Sequence, residues 1–295
     1  MNELRPRTFD DCIGQEETKK LLRIACSTAK NRHEPMDHVL LYGFPGLGKT
    51  TLAQALANEM EVNIKIVEAP SIKKAADLTS TLLSLDENDI LFIDEIHALP
   101  KQIEELLYSA LEDRETVVTI RKMFVRMKVE PFTLVGATTR LDLISQPLRD
   151  RFGMICHLQY YSIPELERII FKSAKILNVS ISKEALNKIA ACSRGTARVA
   201  NQVLKRCRDL AEYHSTHITT KIVEETLALL NIEDNGFTDV DRKIISVLKN
   251  SSRALGINTL ASLVGVNPES LLTVYEPYLL KEGIIEITQK GRVLL

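Results

Sequence analysis

Gly43-Phe-Pro-Gly-Leu-Gly-Lys-Thr50 has the residue types and spacing of a loop that holds a chain of phosphates. Gly46 and Gly48 let the backbone curl so that successive N–H groups face phosphate oxygens, and the helix opening at Thr50 adds the positive end of its dipole. Lys49 is then expected to reach the β- and γ-phosphates, Thr50 to place its hydroxyl on Mg²⁺, and Thr51 to support the α- and β-phosphates. Context strengthens the reading, because the apolar run Val39–Tyr42 precedes the loop and a helical pattern, Thr50–Met60, follows it.

A second group complements the first. Ile90-Leu-Phe-Ile-Asp-Glu95 is an apolar strand ending in two carboxylates, which suits Asp94 to ordering a Mg²⁺ shell and Glu95 to polarising an attacking water. Gly136-Ala-Thr-Thr-Arg140 ends another apolar run, and either Thr138 or Thr139 could contact the γ-phosphate or the water. Asp150-Arg-Phe-Gly153 presents Arg151, which by its residues alone reads as a structural or surface arginine before one supplied to a neighbour's site, with Arg149 competing for the latter role. The chemistry implied is hydrolysis of ATP.

These groups need rigid elements behind them. Apolar runs at Val39–Tyr42, Ile64–Glu68, Ile90–Ile93, Thr133–Ala137 and Ile155–Gln159 alternate with helical patterns such as Pro100–Leu111, which predicts a parallel α/β sheet with helices. Strand signals stop at Ser162, and helical spacing then runs through Leu177, Leu186–Ala191, Val199–Leu210 and Ile222–Leu230. Asn231–Gly236 reads as a linker. Beyond it, three short helices (Asp239–Asn250, Asn258–Val264, Pro268–Lys281) and a hairpin around Gln289-Lys290-Gly291 make the pattern of a winged helix. The expected architecture is an α/β P-loop domain over 1–160, an all-α lid over 161–234 and a winged-helix DNA-binding domain over 235–295.

Composition narrows the partners. Net charge is −1, with 20 lysines and arginines against 24 acids in 1–159 and 18 against 15 in 160–295, so contact with nucleic acid must come from local patches. The absence of tryptophan disfavours a stacking platform for single-stranded bases. Five scattered cysteines without a CxxC pair argue against a zinc site or a disulfide framework and fit a reducing cytoplasm. The charged start MNELRPRTFDD is unlike a signal peptide, and no apolar run approaches the length of a membrane span.

Seven segments carry a resemblance to one family: LRPRTFDDCIGQ (4–15), DHVLLYGFPGLGKTTLA (37–53), ILFIDEIHAL (90–99), FTLVGATTR (132–140), PLRDRFG (147–153), SRGTARVANQVLKRCRDLA (193–211) and EPYLLKEG (276–283). The earlier ones fit many AAA+ ATPases. PLRDRFG and the last two are narrower, and together the chain resembles the RuvB family of Holliday-junction branch-migration ATPases. The resemblance implies that Leu4 and Arg5 pack on adenine, that Tyr161 contacts the nucleotide, that Arg198 is a second sensor acting in cis, and that Arg151 is a finger acting in trans. It also implies a homohexamer around double-stranded DNA, RuvA as the partner gripping the four-way junction, and RuvC as a further partner.

The chain departs from the family pattern at several places. Phe44 replaces a loop proline, and Ala197 stands where proline is usual beside Arg198. Glu112–Glu130 resembles the hairpin that docks RuvA but is shorter; its apolar residues, Val117, Val118, Ile120, Met123, Phe124, Val125 and Met127, suit either a protruding contact or a hairpin buried between subunits. In the wing, Lys290 and Arg292 match expected DNA-backbone contacts, whereas Ile287 occupies an arginine position and the basic tail is nearly absent, so weaker and less salt-dependent DNA binding is expected. Two competing readings are another AAA+ machine, such as a clamp-loader-like subunit, and an ATP-responsive DNA-binding regulator. Asp150-Arg-Phe-Gly with a winged helix disfavours the first, and Glu95 with Arg151 disfavours the second. His97 is read as a neighbour of the catalytic residues, His214 and His217 as a solvated helix end, and Lys205–Arg208 as helix surface or subunit interface.

Overall fold

Strands that are apolar along their whole length can be satisfied only where helices cover both faces of a sheet. The structure, a computed structural model, describes residues 4–120 and 123–295 and builds such a sheet in the first of two compact units, 1–43 with 48–159. In chain order this unit runs α1 (Glu16–Arg32), β1 (Val39–Tyr42), α2 (Lys49–Met60), β2 (Ile64–Glu68), α3 (Ala75–Leu82), β3 (Ile90–Asp94) and α4 (Lys101–Glu112). The hairpin β4 (Glu115–Ile120) and β5 (Met123–Lys128) follows, then β6 (Thr133–Thr138), α5 (Gln146–Arg149) and β7 (Met154–His157).

The main sheet is parallel in the order β2-β3-β6-β1-β7. Leu40, Leu91 and Leu134 are fully buried in it; truncating one such leucine to alanine costs about 2–5 kcal/mol. The register sets Tyr42 of β1 beside Thr138 of β6 and Ile93 of β3 beside Gly136. The carboxyl end of β6 therefore lies between the phosphate loop and the acidic pair. The last strand was expected at Ile155–Gln159 but is Met154–His157. Leu158 still donates to the Tyr42 carbonyl at 2.8 Å, and Gln159 leaves the sheet because the Gln15 side chain takes its N–H at 3.0 Å.

The second unit comprises 44–47 and 160–295 and holds two cores. Helices α6 (Ile163–Ile176), α7 (Lys183–Ala191), α8 (Ala197–Tyr213) and α9 (Thr220–Leu229) enclose Leu166, Ile170, Ile189, Leu204 and Val223. Each starts on a hydroxyl cap, from Ser162, Ser182, Thr196 and Thr219. A smaller core of Phe237, Ile244, Leu260, Leu271 and Leu279 lies among α10 (Asp239–Lys249), α11 (Ile257–Val264), α12 (Pro268–Ser270) and α13 (Glu276–Lys281).

The helix expected over Pro268–Lys281 is interrupted by a π turn, Leu271–Tyr275. Pro277 lacks the N–H that would bond back into that turn, which removes one α-helical constraint. The wing is β8 (Ile285–Thr288) with β9 (Gly291–Leu294), and Leu255 pairs with Arg292 through N–H to carbonyl bonds of 3.0 and 2.8 Å. Gly291 must be glycine: its φ is +133° and an added Cβ would sit 2.4 Å from the Leu255 carbonyl oxygen.

Asn231–Gly236, expected as a linker, is pinned rather than loose. Arg194 meets Asp241, which is fully buried, at 2.9 Å and lies 4.4 Å over the Tyr278 ring. The Tyr278 hydroxyl donates to the Asn235 carbonyl at 2.5 Å. Removing one partner of such a buried pair costs about 3–5 kcal/mol. All five cysteines are buried, and none forms a disulfide among the described residues. Among the described residues no helix is long and apolar enough to cross a membrane.

Candidate functional site

Helix α2 begins at a position built for an anion. Its N-cap is Gly48 with φ 97°, no side chain caps it, and its first turn contains no acid, so the N–H groups there keep their positive end for a ligand. Lys49, 7% exposed, donates to the Gly43 carbonyl at 2.7 Å. Thr50 and Thr51 follow it in the first turn of α2.

At the loop apex, which groups with the second unit, Gly46 has φ +85° and an added Cβ would lie 2.7 Å from Arg198 Cβ. Conformation and close approach both demand glycine there. Phe44, the departure from the family pattern, stacks on Tyr160 with centroids 5.1 Å apart, and the Tyr161 hydroxyl donates to the Leu47 carbonyl at 2.9 Å. Arg198 is exposed in the first turn of α8.

Behind the loop, the N-terminal segment is fastened to α2. Phe9 is fully buried and its N–H donates to Glu59 at 3.1 Å, Asn58 donates to the Arg7 carbonyl at 2.6 Å, and Arg5 reaches Gln54 at 3.5 Å. Leu4 is half-buried beside them in sequence.

The acidic pair ends β3 in unlike environments. Burial, with the Glu95 charge next, raises the Asp94 carboxyl above the ordinary aspartate range. Glu95 adopts φ 49°, ψ 45°, a left-handed conformation that costs a non-glycine residue about 1–2 kcal/mol. Its Oε2 accepts from Thr139 twice, from the backbone N–H at 3.2 Å and the hydroxyl at 3.0 Å. Thr138 is fully buried; its hydroxyl pairs with His97 Nδ1 at 2.9 Å and accepts the Arg140 N–H at 2.9 Å. His97 Nδ1 also lies 3.3 Å from Glu95 Oε2. The two threonines are thus sorted: Thr139 holds the acid, and Thr138 holds the histidine beside it.

Thr50 and Asp94 are hard oxygen donors of the kind Mg²⁺ takes, and a bound cation would favour the ionised form of Asp94 that burial opposes. Among the described residues no group of three or more His, Cys, Asp or Glu is placed to hold a metal ion.

Arg151 lies in a cradle. Its guanidinium is 4.4 Å over the Tyr108 ring, donates to the Pro147 carbonyl at 2.6 Å and meets Glu112 at 2.8 Å. Arg149 instead donates to the Leu141 carbonyl at 2.5 Å. A cavity of about 380 Å³ opens beside Arg151, lined by Asp37, His38, Arg114 and Asp150 among others.

In the wing, Arg292 is engaged by Glu276, which is 4% exposed, through two bonds of 2.8 and 3.1 Å. Lys290 is exposed at the turn. In the hairpin, Met123 and Phe124 are 63% and 81% exposed, and Val125 and Met127 are exposed beside them. Arg121 and Lys122, within the expected 112–130 hairpin, lie outside the described residues, as do Met1–Glu3 and the side chains of Thr119 and Ile120. His214 meets Glu225 at 3.3 Å, and Arg206 and Arg208 pair with Asp209.

Sequence reasoning did not single out Tyr108 or Glu112. The available signal was the spacing of Glu104, Tyr108 and Glu112, four apart on one face of α4. Nothing in the sequence said that α5 would deliver Arg151 to that face.

Comparison with known proteins agrees along the whole chain. Residues 4–158 match the family described as Holliday junction DNA helicase RuvB P-loop domain, 161–233 the RuvB AAA lid domain and 234–294 the RuvB C-terminal winged helix domain. A Holliday junction branch migration complex subunit RuvB of Fusobacterium nucleatum is 47% identical over 298 residues, covering 99% of this chain and 90% of that protein. One from Kosmotoga olearia is 48% identical, covering 98% and 87%. The solved structure of a Thermotoga maritima RuvB, described as a Holliday junction branch migration motor, superposes with a TM-score of 0.91 at 46% identity, covering 99% of this chain and 96% of that one. With its P-loop AAA+ domain, helical lid and winged helix in that order, the chain belongs to the RuvB family.

Proposed function

We propose that this chain is an ATP-hydrolysing motor that drives branch migration of Holliday junctions, acting on double-stranded DNA during recombination and repair in the cytoplasm. The observation that carries the reading is the Glu95–Thr139 grip at the carboxyl end of β6, flanked by the Lys49 loop on one side and Asp94 on the other.

In this reading Lys49 and the loop glycines Gly43, Gly46 and Gly48 bind the phosphates, with Thr51 in support. Leu4, Arg5 and Tyr161 serve the nucleoside side. Thr50 and Asp94 would hold Mg²⁺, which when bound neutralises charge shared between the phosphates. Glu95 polarises the attacking water, and Thr139 sets where its carboxylate points, with Thr138 acting through His97. Arg198 reads the γ-phosphate in cis, and Arg151 serves the neighbouring subunit's site in trans, so the working form is a homohexameric ring. Loss of the terminal phosphate then moves the lid, and the winged helix that Arg194 ties to it follows along the duplex. Lys290 is the exposed cation that the wing turns to the duplex backbone, and Arg292, paired with Glu276, supports the hairpin that carries it. The exposed apolar strand of the hairpin supports docking of RuvA, and RuvC is a further partner.

The test is migration of a synthetic four-way junction with ATP and Mg²⁺, with and without RuvA. Wild type should resolve the junction into two duplexes, whereas Glu95→Gln should bind ATP and leave the junction intact. Migration by Glu95→Gln at the wild-type rate would remove Glu95 from the chemistry.

A further inference from the structure

The arginine that must act on a neighbour is held in its own subunit by an aromatic ring. Arginine carries about 2 kcal/mol of side-chain rotamer entropy, so an unsupported finger would spend most of its time misdirected. Here the guanidinium face lies 4.4 Å over Tyr108, while Pro147 and Glu112 take N–H groups from its rim. Its Nε is buried with no hydrogen-bond partner among the described residues.

The ring is itself locked. The Tyr108 hydroxyl donates to Glu104 Oε1 at 2.6 Å and lies 3.0 Å from Ser145 Oγ. Ser145 bonds the same Glu104 oxygen and caps α5 by accepting the Leu148 N–H at 3.3 Å. Tyr108 therefore joins α4, which follows the Glu95 strand, to the short helix that leads into Arg151.

We infer that Tyr108 is a positioning residue for Arg151: its ring is the platform that pre-aims the guanidinium at the neighbouring subunit's γ-phosphate. This rests on the reading of Arg151 as a trans-acting finger. Pre-aimed charge lowers a barrier because it needs no rearrangement as the phosphoryl group transfers. Tyr108→Leu should then lower kcat by roughly 10- to 100-fold with KM little changed, because only an interaction made in the transition state is weakened. Tyr108→Phe keeps the ring and should stay within about 3-fold of wild type.

Subunit mixing on duplex DNA separates this from simple structural damage. Lys49→Ala subunits bind no nucleotide but present a sound Arg151. Mixed with Tyr108→Leu subunits, whose own phosphate sites are intact, they should raise turnover well above the sum of the two alone. Tyr108→Leu mixed with Arg151→Ala should show no gain. The inference is overturned if Tyr108→Leu alone turns over like wild type, or if Lys49→Ala fails to rescue it while rescuing Arg151→Ala. Failure of Lys49→Ala to rescue Arg151→Ala would instead sink the trans-acting reading, and this inference with it.

Discussion

Thr139 holds the Glu95 carboxylate by two donors at once, its backbone N–H at 3.2 Å and its hydroxyl at 3.0 Å. The same oxygen lies 3.3 Å from His97 Nδ1, so the acid proposed to polarise water is aimed by its neighbours rather than by its own short chain. Aiming matters because a misplaced base loses proton transfer worth about 10²–10⁴-fold.

Thr139→Val removes the hydroxyl and keeps the backbone donor. We expect ATP turnover to fall roughly 10- to 100-fold while ATP affinity changes by less than about 3-fold. Thr138→Val should act differently, since that hydroxyl serves His97 and the Arg140 N–H inside the protein, and should lower the melting temperature as well. Steady-state hydrolysis, nucleotide titration and thermal unfolding together distinguish the two; equal and small effects from both variants would contradict the assignment.

The two cations of the wing should separate under salt. Lys290 is exposed, whereas Arg292 is committed to the buried Glu276 carboxylate. Lys290→Ala should weaken duplex binding and flatten the dependence of log K on log salt by about 0.9. Arg292→Ala should mainly cost stability, by about 3–5 kcal/mol, because it leaves a carboxylate buried alone. A salt slope unchanged in Lys290→Ala would show that the turn does not meet phosphate.

Acid should weaken the first unit through His38. Burial pushes its imidazole down to about 4, and its Nδ1 accepts the Leu134 N–H at 3.0 Å, so the native ring is neutral. Below about pH 6.5 the unfolded chain binds a proton that the native chain refuses, and stability falls as pH drops from about 6.5 to about 4. The loss is at most about 3 kcal/mol. Chemical denaturation of wild type and His38→Asn across this window should show the shallower decline in the variant; parallel curves would rule out His38 as the source.

Much of this was legible because the chemistry is local in sequence. The phosphate loop and the acidic pair each sit at the end of an apolar run, and β1 and β2 begin and end where their residue types change. Four long-range relationships were not legible. That Thr139 and not Thr138 meets Glu95 depends on a side-chain contact across the sheet. The Arg151 cradle depended on α4 and α5 packing together. Arg292 looked available for DNA because Glu276, sixteen residues earlier, gave no sign of being buried beneath it. The Asn231–Gly236 stretch reads as a linker by composition, and its contacts in the fold, Tyr278 on the Asn235 carbonyl and Arg242 on Glu233, show that it is held.

If Arg151 of the next subunit completes each site, ATP turnover per subunit on duplex DNA depends on protein concentration. Turnover should rise steeply as rings assemble, from a nearly inactive dilute state, and Arg151→Ala should give a flat, low line despite normal ATP binding. Equal turnover per subunit from the most dilute protein to the fully assembled ring, or an Arg151→Ala curve that overlays wild type, would contradict it.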